Sequence, residues 1–311
     1  MMFALSTSWN AGQYSAARNI IEEIKAIGFH CVELNFSLSA ALVEEMISLS
    51  ARNQIKVVSL HNFCPIPDGI SRRAATPDIF SLSALDNDER KQALYYTKRT
   101  IDTASILQAQ AVVLHLGKVQ NTVEKIRELG GLYLDSKAAR PSGNRKNYEQ
   151  LKSRMLKDRR DKAAPCFEQT LKSLEELCSY AREKKISLGI ENRYYFNEIP
   201  SIEEMGQIVK SFPGSPLFYW HDTGHAQIYE NLGFFKHKEL LDNFGSRLLG
   251  VHLHDVDKMD DHRAPLQGSF DFSLLKPYVK KETLKVLEPH QPATAEEIMS
   301  GWNYLRQLLG D

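Results

Sequence analysis

The chain has 311 residues, 42% of them hydrophobic and 25% charged, with a formal net charge of zero. Such a composition describes a globular protein with a sizeable core, and the neutral balance supplies no overall field toward nucleic acid or anionic lipid. No apolar run approaches the ~20 residues that a bilayer span requires.

Taken in chain order, Phe3–Ser8 reads as a strand and Tyr14–Ile27 as a helix stopped by Gly28. Strand His30–Asn35, helix Leu38–Asn53 and strand Ile55–Leu60 follow. A minor insertion, Cys64–Asp86, precedes helix Asn87–Gln108 and strand Ala111–Leu116. Beyond the segment Lys118–Lys162 come helix Cys166–Lys185, strand Ile186–Glu191 and helix Ser201–Lys210, where Ser201 and Glu204 have capping-box spacing. Strands Leu217–Asp222, Leu248–His254 and Leu284–Glu288 and helix Ala293–Leu309 complete the chain. Short apolar strands alternating with helical segments suit a parallel sheet covered by helices. Eight strands, each followed by a helix, predict an α/β fold, a single (β/α)8 TIM barrel over residues 1–311.

Lys118–Lys162 is the exception. It carries 13 Lys/Arg against 6 Asp/Glu, a net of +7, which leaves −7 for the rest of the chain. A structureless loop of this length is unusual in a compact domain. Gly130-Gly131 and Pro141-Ser142-Gly143-Asn144 predict breaks, with helical pieces near Thr122–Leu129 and Tyr148–Asp161. The expected role is a lid or a homo-oligomer interface; the plainer reading is a solvated charged hairpin.

Two further features bear on compartment. The opening Met1-Met2-Phe3-Ala4-Leu5-Ser6 has no basic leader, and Cys31, Cys64, Cys166 and Cys178 form no Cys-x-x-Cys pair. Both predict a cytoplasmic protein with reduced thiols.

In a barrel, reactive groups sit at the C-terminal ends of the strands. There the sequence places His61, His115, Glu191-Asn192-Arg193, Asp222 with His225, His252-Leu253-His254-Asp255, the loop Asp260-Asp261-His262-Arg263, and Glu288. Asp222 and His225 are read as converging across a Thr-Gly turn. A lone strand-end histidine is usually a hydrogen-bonded core residue, and a lone glutamate a cap. Together, buried carboxylates and imidazoles would repel or stay unsatisfied without a cation, and a divalent metal resolves this. His252 and His254 share a strand face. One is therefore expected to be a ligand and the other a supporting or substrate group.

These residues resemble the xylose-isomerase-like TIM-barrel superfamily, which joins sugar and sugar-phosphate isomerases and epimerases with endonuclease IV-like abasic-site nucleases. The resemblance rests on Asp222-Thr223-Gly224-His225, His252-Leu253-His254-Asp255, Asp260-Asp261-His262, Glu191 and Glu288, and covers nearly all the chain outside Lys118–Lys162. The epimerase pattern implies one metal (Zn, Mn or Mg) on Glu191, Asp222, His252 and Glu288. The nuclease pattern implies three zincs, adding His61, His115, His225, Asp260 and His262.

The isomerase reading has Glu191 and Glu288 exchange a substrate α-proton as general base and acid beside a metal-stabilised enediolate. His61, His115, Arg193, His225, His254 and Arg263 are its substrate-binding candidates; for Arg193 and Arg263 the plainer reading is a rim salt bridge. The nuclease reading needs a cationic track for DNA and wedges in the duplex, for which Phe63 is one candidate. The net −7 outside the insertion disfavours a nucleic-acid partner, so a small sugar or sugar phosphate is preferred. A metal-stabilised binding protein carries less weight, and a lyase or dehydratase shares the scaffold. No Gly-rich loop predicts a nucleotide cofactor and no serine sits in a nucleophile elbow.

Overall fold

The computed structural model describes residues 3–137 and 144–310. In chain order the elements are β1 (Phe3–Ser6), α1 (Ala17–Ile27), β2 (Cys31–Leu34), α2 (Ala40–Ala51), β3 (Lys56–His61), α3 (Asn87–Ile106), β4 (Ala111–Leu114), α4 (Ile126–Lys137), α5 (Asn144–Lys184) and β5 (Ser187–Glu191). Then follow α6 (Ile202–Ser211), β6 (Leu217–Asp222), α7 (Thr223–Asn231), α8 (His237–Phe244), β7 (Leu248–Leu253), β8 (Asp255–Asp257), β9 (Asp260–Arg263), β10 (Leu284–Leu287) and α9 (Ala295–Leu309). β1 to β7 and β10 form a closed parallel barrel in chain order, with β10 pairing β1; β8 and β9 make a separate antiparallel hairpin. The TIM barrel is thus as expected, with all eight strands in their expected places. No helix among the described residues is long and apolar enough to cross a membrane.

Local chemistry explains most boundaries. α1 buries Ile20, Ile21, Ile24 and Ile27 on one face and stops at Gly28, whose φ of 114° suits glycine. The Ser201–Glu204 capping box opens α6 as predicted. The main core lies between the strand ring and the helices. Inside the ring, Ala4, Cys31, Val58, Ala111, Val113, Trp220, Leu284 and Val286 fill the lower half. Trp220 is the largest of these, and Gly189 and Gly250 make room for it: a Cβ at either would stand 2.7 or 2.4 Å from its ring.

Four expectations fail. β7 is followed by the β8–β9 hairpin and a short 3-10 turn, Phe272–Leu275, not by an α-helix. Thr223-Gly224-His225 is not a turn; it begins α7, a helix the periodicity did not reveal. In the insertion, Gly130 and Gly131 lie inside α4, where Gly130 admits Met259 rather than turning the chain. The expected helices Tyr148–Asp161 and Cys166–Lys185 are one helix, α5, which runs through Pro165. Proline removes one helical N–H, but Met155 and Arg159 before it and Cys166, Thr170 and Leu174 after it are all buried, so packing holds both halves. The break at Pro141–Gly143 lies outside the described residues.

The insertion packs onto the barrel mouth. Ile126, Leu129, Tyr148 and Met155 form a small core with Ile228, Leu232 and Val256. Buried Arg159 donates to the Glu204 carboxylate (2.7 and 3.2 Å) and to the Glu198 carbonyl (2.9 Å), tying α5 to the loop after β5. The four cysteines are buried and unpaired.

Candidate active site

Each strand ending delivers its side chain because the chain leaves the ladder there. Glu191 closes β5, Asp222 closes β6, His252 lies in β7, and Glu288 is the first residue past β10. One ligand atom from each of these four buried residues lies within 4.8 Å of the others. His252 is their centre. Its Nδ1 is 2.9 Å from Glu191 Oε1, 3.0 Å from Glu288 Oε2 and 3.8 Å from Asp222 Oδ2.

Glu33, in β2, was missed. Its Oε1 lies 3.0 Å from His252 Nε2, and its Oε2 accepts from Ser59 Oγ at 2.7 Å. Donation from Nε2–H to Glu33 leaves the Nδ1 lone pair turned toward the three carboxylates, the usual way a partner carboxylate fixes a metal-binding imidazole. A legible sign existed: Glu33 is a charged residue in an otherwise apolar four-residue strand.

Asp222 also caps α7, accepting from the His225 N–H at 2.7 Å. His254 holds it from the other side, with Nε2 2.9 Å from Asp222 Oδ2, while His254 Nδ1 accepts from the His262 N–H at 2.9 Å. Both His254 nitrogens are therefore engaged within the protein, which makes it a support for Asp222 rather than a group facing substrate. The Gly224 backbone lies against its ring, where an added Cβ would be 2.1 Å away. Asn192 anchors the same loop: its side-chain oxygen accepts from the Asp222 N–H at 2.8 Å and from the Tyr219 hydroxyl at 2.9 Å.

Beside this centre, His61, His115 and Glu191 form a second group of donors. His115 bridges Asp78 Oδ1 (3.1 Å) and Glu191 Oε2 (2.9 Å), and His61 Nε2 is 3.4 Å from the same Glu191 oxygen. Arg193 lies against them, touching His115 Nε2 through one guanidinium nitrogen that is 3.7 Å from Glu191 Oε2. Its other terminal nitrogen bonds Glu198 and, at 3.1 Å, Asp78. Asp78, in the loop after β3, had no strand-end pattern to announce it.

A third group joins Asp222, His225, His254 and His262. Asp261, not Asp260, faces it: Asp261 Oδ2 is 3.2 Å from His262 Nδ1 and 3.8 Å from His225 Nε2. Asp260 is exposed and pairs with Arg263 at 2.9 Å. His262 adopts φ +54°, which interrupts strand alternation and turns neighbouring Asp261 and His262 to the same side. Arg263 also donates to the Gln267 carbonyl, so it is a rim salt bridge. His290, two residues past Glu288, stacks on His262 with ring centroids 3.8 Å apart.

The electrostatics follow from this crowding. Burial opposes ionisation of Glu191, but His252 and hydrogen bonds from His115, His252 and His61 prevail and hold its carboxyl well below the usual range. Burial likewise opposes protonation of His252, yet Glu288, Glu33 and Glu191 raise its pKa well above the ordinary value. His262 is raised to about 9, with Asp261 prevailing over burial. Burial pushes His290 down to about 3.

Even when protonated on both nitrogens, His252 has one Nδ1 hydrogen, which can satisfy only one of the three carboxylates around it. Three carboxylate oxygens and an imidazole nitrogen, with the ring's far side pinned by Glu33, match the donor set of a divalent cation. Above them opens a cavity of about 860 Å3, lined by His61, His115, Glu191, His225, His262 and Glu288 and, from the insertion, by Arg127, Gly131 and Leu134.

Fold and site together define a (β/α)8 barrel with a carboxylate–imidazole centre at the mouth. The chain belongs to the xylose isomerase-like TIM barrel family, whose model matches residues 21–307. Comparison with curated proteins gives no match. Among solved structures, it is similar to a D-tagatose 3-epimerase-like protein (19% identity, TM-score 0.67, 99% of this chain and 97% of the other). It is also similar to the 3-keto-D-glucoside 4-epimerase YcjR from E. coli (14%, 0.68, 99% of each). A third is the D-psicose 3-epimerase from Clostridium cellulolyticum H10, solved with D-tagatose (15%, 0.66, 100% of each). At these identities the likeness is one of fold.

Proposed function

We propose that the protein is a metal-dependent isomerase or epimerase of a sugar or sugar phosphate, moving a proton at the carbon beside a carbonyl. The observation that carries this reading is the approach of Glu191 and Glu288, from strands β5 and β10, to within about 3 Å of one imidazole nitrogen beneath the cavity. The epimerase names of the structural neighbours support it. Glu191, Asp222, His252 and Glu288 would hold the cation. When bound, it supplies Lewis acidity that polarises a substrate carbonyl and acidifies the adjacent C–H.

The chain's own groups do the rest. One of Glu191 and Glu288 takes the α-proton and the other returns one. His115 and Arg193 fix Glu191, Glu33 fixes His252, and His254 fixes Asp222. His61 and His225 line the cavity as hydrogen-bonding groups for substrate hydroxyls. The insertion roofs the mouth as a lid, which limits water at the reacting carbon. The test is solvent-deuterium exchange at the α-carbon of ketoses and their phosphates. Wild type exchanges, and Glu191→Gln or Glu288→Gln lowers the rate by ~10²- to 10⁴-fold. Exchange that survives both substitutions refutes the assignment.

A second reading, a three-zinc phosphodiester hydrolase acting at abasic sites, draws support from the three adjoining donor groups. Two placements count against it: Arg193, already a cation, lies against the His61–His115–Glu191 group, and Asp260 pairs with Arg263 and is not part of the Asp222–His225–His254–His262 group. Metal analysis separates the two, at one ion per chain or three, together with nicking of an abasic oligonucleotide.

A further inference from the structure

The cationic side chains around the cavity fall into two sets. Arg193 is enclosed by Asp78, Glu198 and Glu191, and Arg263 pairs with Asp260. Neither can turn to a ligand without leaving a carboxylate unpaired. Arg127 is different. It extends from α4 of the insertion, is solvent-exposed, and lines the cavity. Among the described residues it has no carboxylate within ion-pair distance, and Tyr194 and Tyr195 line the same cavity beside it. Lys258, at the turn of the β8–β9 hairpin, lines the same cavity and also has no ion pair among the described residues. Its backbone is fixed at φ +61°, with its carbonyl accepting from Asn231 at 2.8 Å.

The acidic side chains on this wall are mostly engaged. Asp78 bonds His115 and Arg193, Asp261 bonds His262, and Asp260 bonds Arg263. Asp257 shares the hairpin, but no ion pair joins it to Arg127 or Lys258 among the described residues. The cavity, about 860 Å3, is also larger than a bare monosaccharide fills.

We infer that Arg127, assisted by Lys258, receives an anionic group of the substrate, a phosphate or a carboxylate, at the end remote from the reacting carbon. An exposed guanidinium over the cavity presents a planar fork suited to either oxyanion. The positive charge of the insertion then acquires a purpose: it brings a cation over a mouth otherwise dominated by carboxylates. The inference rests on the proposed isomerase reading for the rest of the ligand, but not for the anion contact.

The experiment is equilibrium binding of three probes to the metal-loaded protein: a ketopentose, its terminal phosphate ester and the corresponding terminal carboxylate. Wild type binds at least one charged probe ~10-fold or more tighter than the neutral one. Arg127→Gln closes most of that gap, Lys258→Gln closes less, and Arg127→Lys retains part of it. The charged probe that shows the gap identifies the oxyanion. Equal binding of all three probes, no binding of either charged probe, or a gap unchanged in Arg127→Gln overturns the inference. Proton exchange measured in parallel separates the two claims: an Arg127-dependent gap without exchange leaves the anion contact standing and removes the isomerase.

Discussion

The two halves of the barrel interior are built by different physics. The lower half is filled by volume: Trp220 fits because Gly189 and Gly250 lack side chains, and small apolar residues complete the layer. The upper half is filled by charge, with Glu33, Glu191, Asp222 and Glu288 gathered around His252. The two meet where the Trp220 ring stands edge-on to His252, with centroids 5.2 Å apart. Dense packing below gives the imidazole a rigid seat. Paired but crowded charges above give it a reason to receive a cation, since buried carboxylates are costly unless compensated. Stability should therefore depend mainly on the floor, and ligand response mainly on the mouth.

The largest test of that division is metal-linked stability. Adding Mn²⁺ at 100 times its Kd should stabilise wild type by about 2.7 kcal/mol. Asp222→Asn should lose most of that increment, whatever its effect on the metal-free protein, and calorimetric Tm with and without chelator measures it. An equal increment in both proteins would mean that the cation binds elsewhere. Next is Gly250→Ala. Its Cβ would collide with Trp220, and overpacking of this kind costs ~1–3 kcal/mol. Denaturant unfolding should show that loss, together with weaker metal affinity as Trp220 presses toward His252. A destabilised protein with unaltered metal affinity would show that floor and mouth are uncoupled.

The smallest effect concerns pH and the layer outside the ring, to which alternation turns Lys285 from between Leu284 and Val286. Lys285 is buried near the start of β10, donating to the carbonyls of Lys280 and Thr283 (2.9 and 2.8 Å). Burial pushes its pKa down to about 8 from an ordinary 10.5. The unfolded chain then binds more protons between those values, so stability rises with pH. The cost of the charged form is fully present below about 8 and is relieved as pH approaches 10.5. The stability difference between wild type and Lys285→Met should therefore move in favour of wild type across that window. A flat difference would place the ammonium in contact with water.

The sequence fared differently in these regions. β6 was predicted to the residue because its apolar run ends at a charged side chain, and the same logic found Glu191, His252 and Glu288 at their strand ends. It failed where direction is set by backbone conformation rather than spacing. Asp261 stands beside His225 and His262, the latter at positive φ, where the nuclease resemblance implied Asp260, and α7 began where a Thr-Gly pair suggested a turn. Asp78 was invisible because it reaches the mouth from an irregular loop.

By itself, the order of residues determined the alternating strands and helices, the closed barrel and the residues that close strands β5, β6, β7 and β10 at its mouth. All of these follow from local periodicity and from short strands that need cover on both faces. Only the tertiary structure decided which nitrogen of His252 faces inward, that Arg193 is enclosed while Arg127 is open, and that the basic insertion packs over the cavity. Those are questions of partnership between residues far apart in the chain. A hydrogen bond or an ion pair has a distance and a direction, and neither exists until the chain is folded.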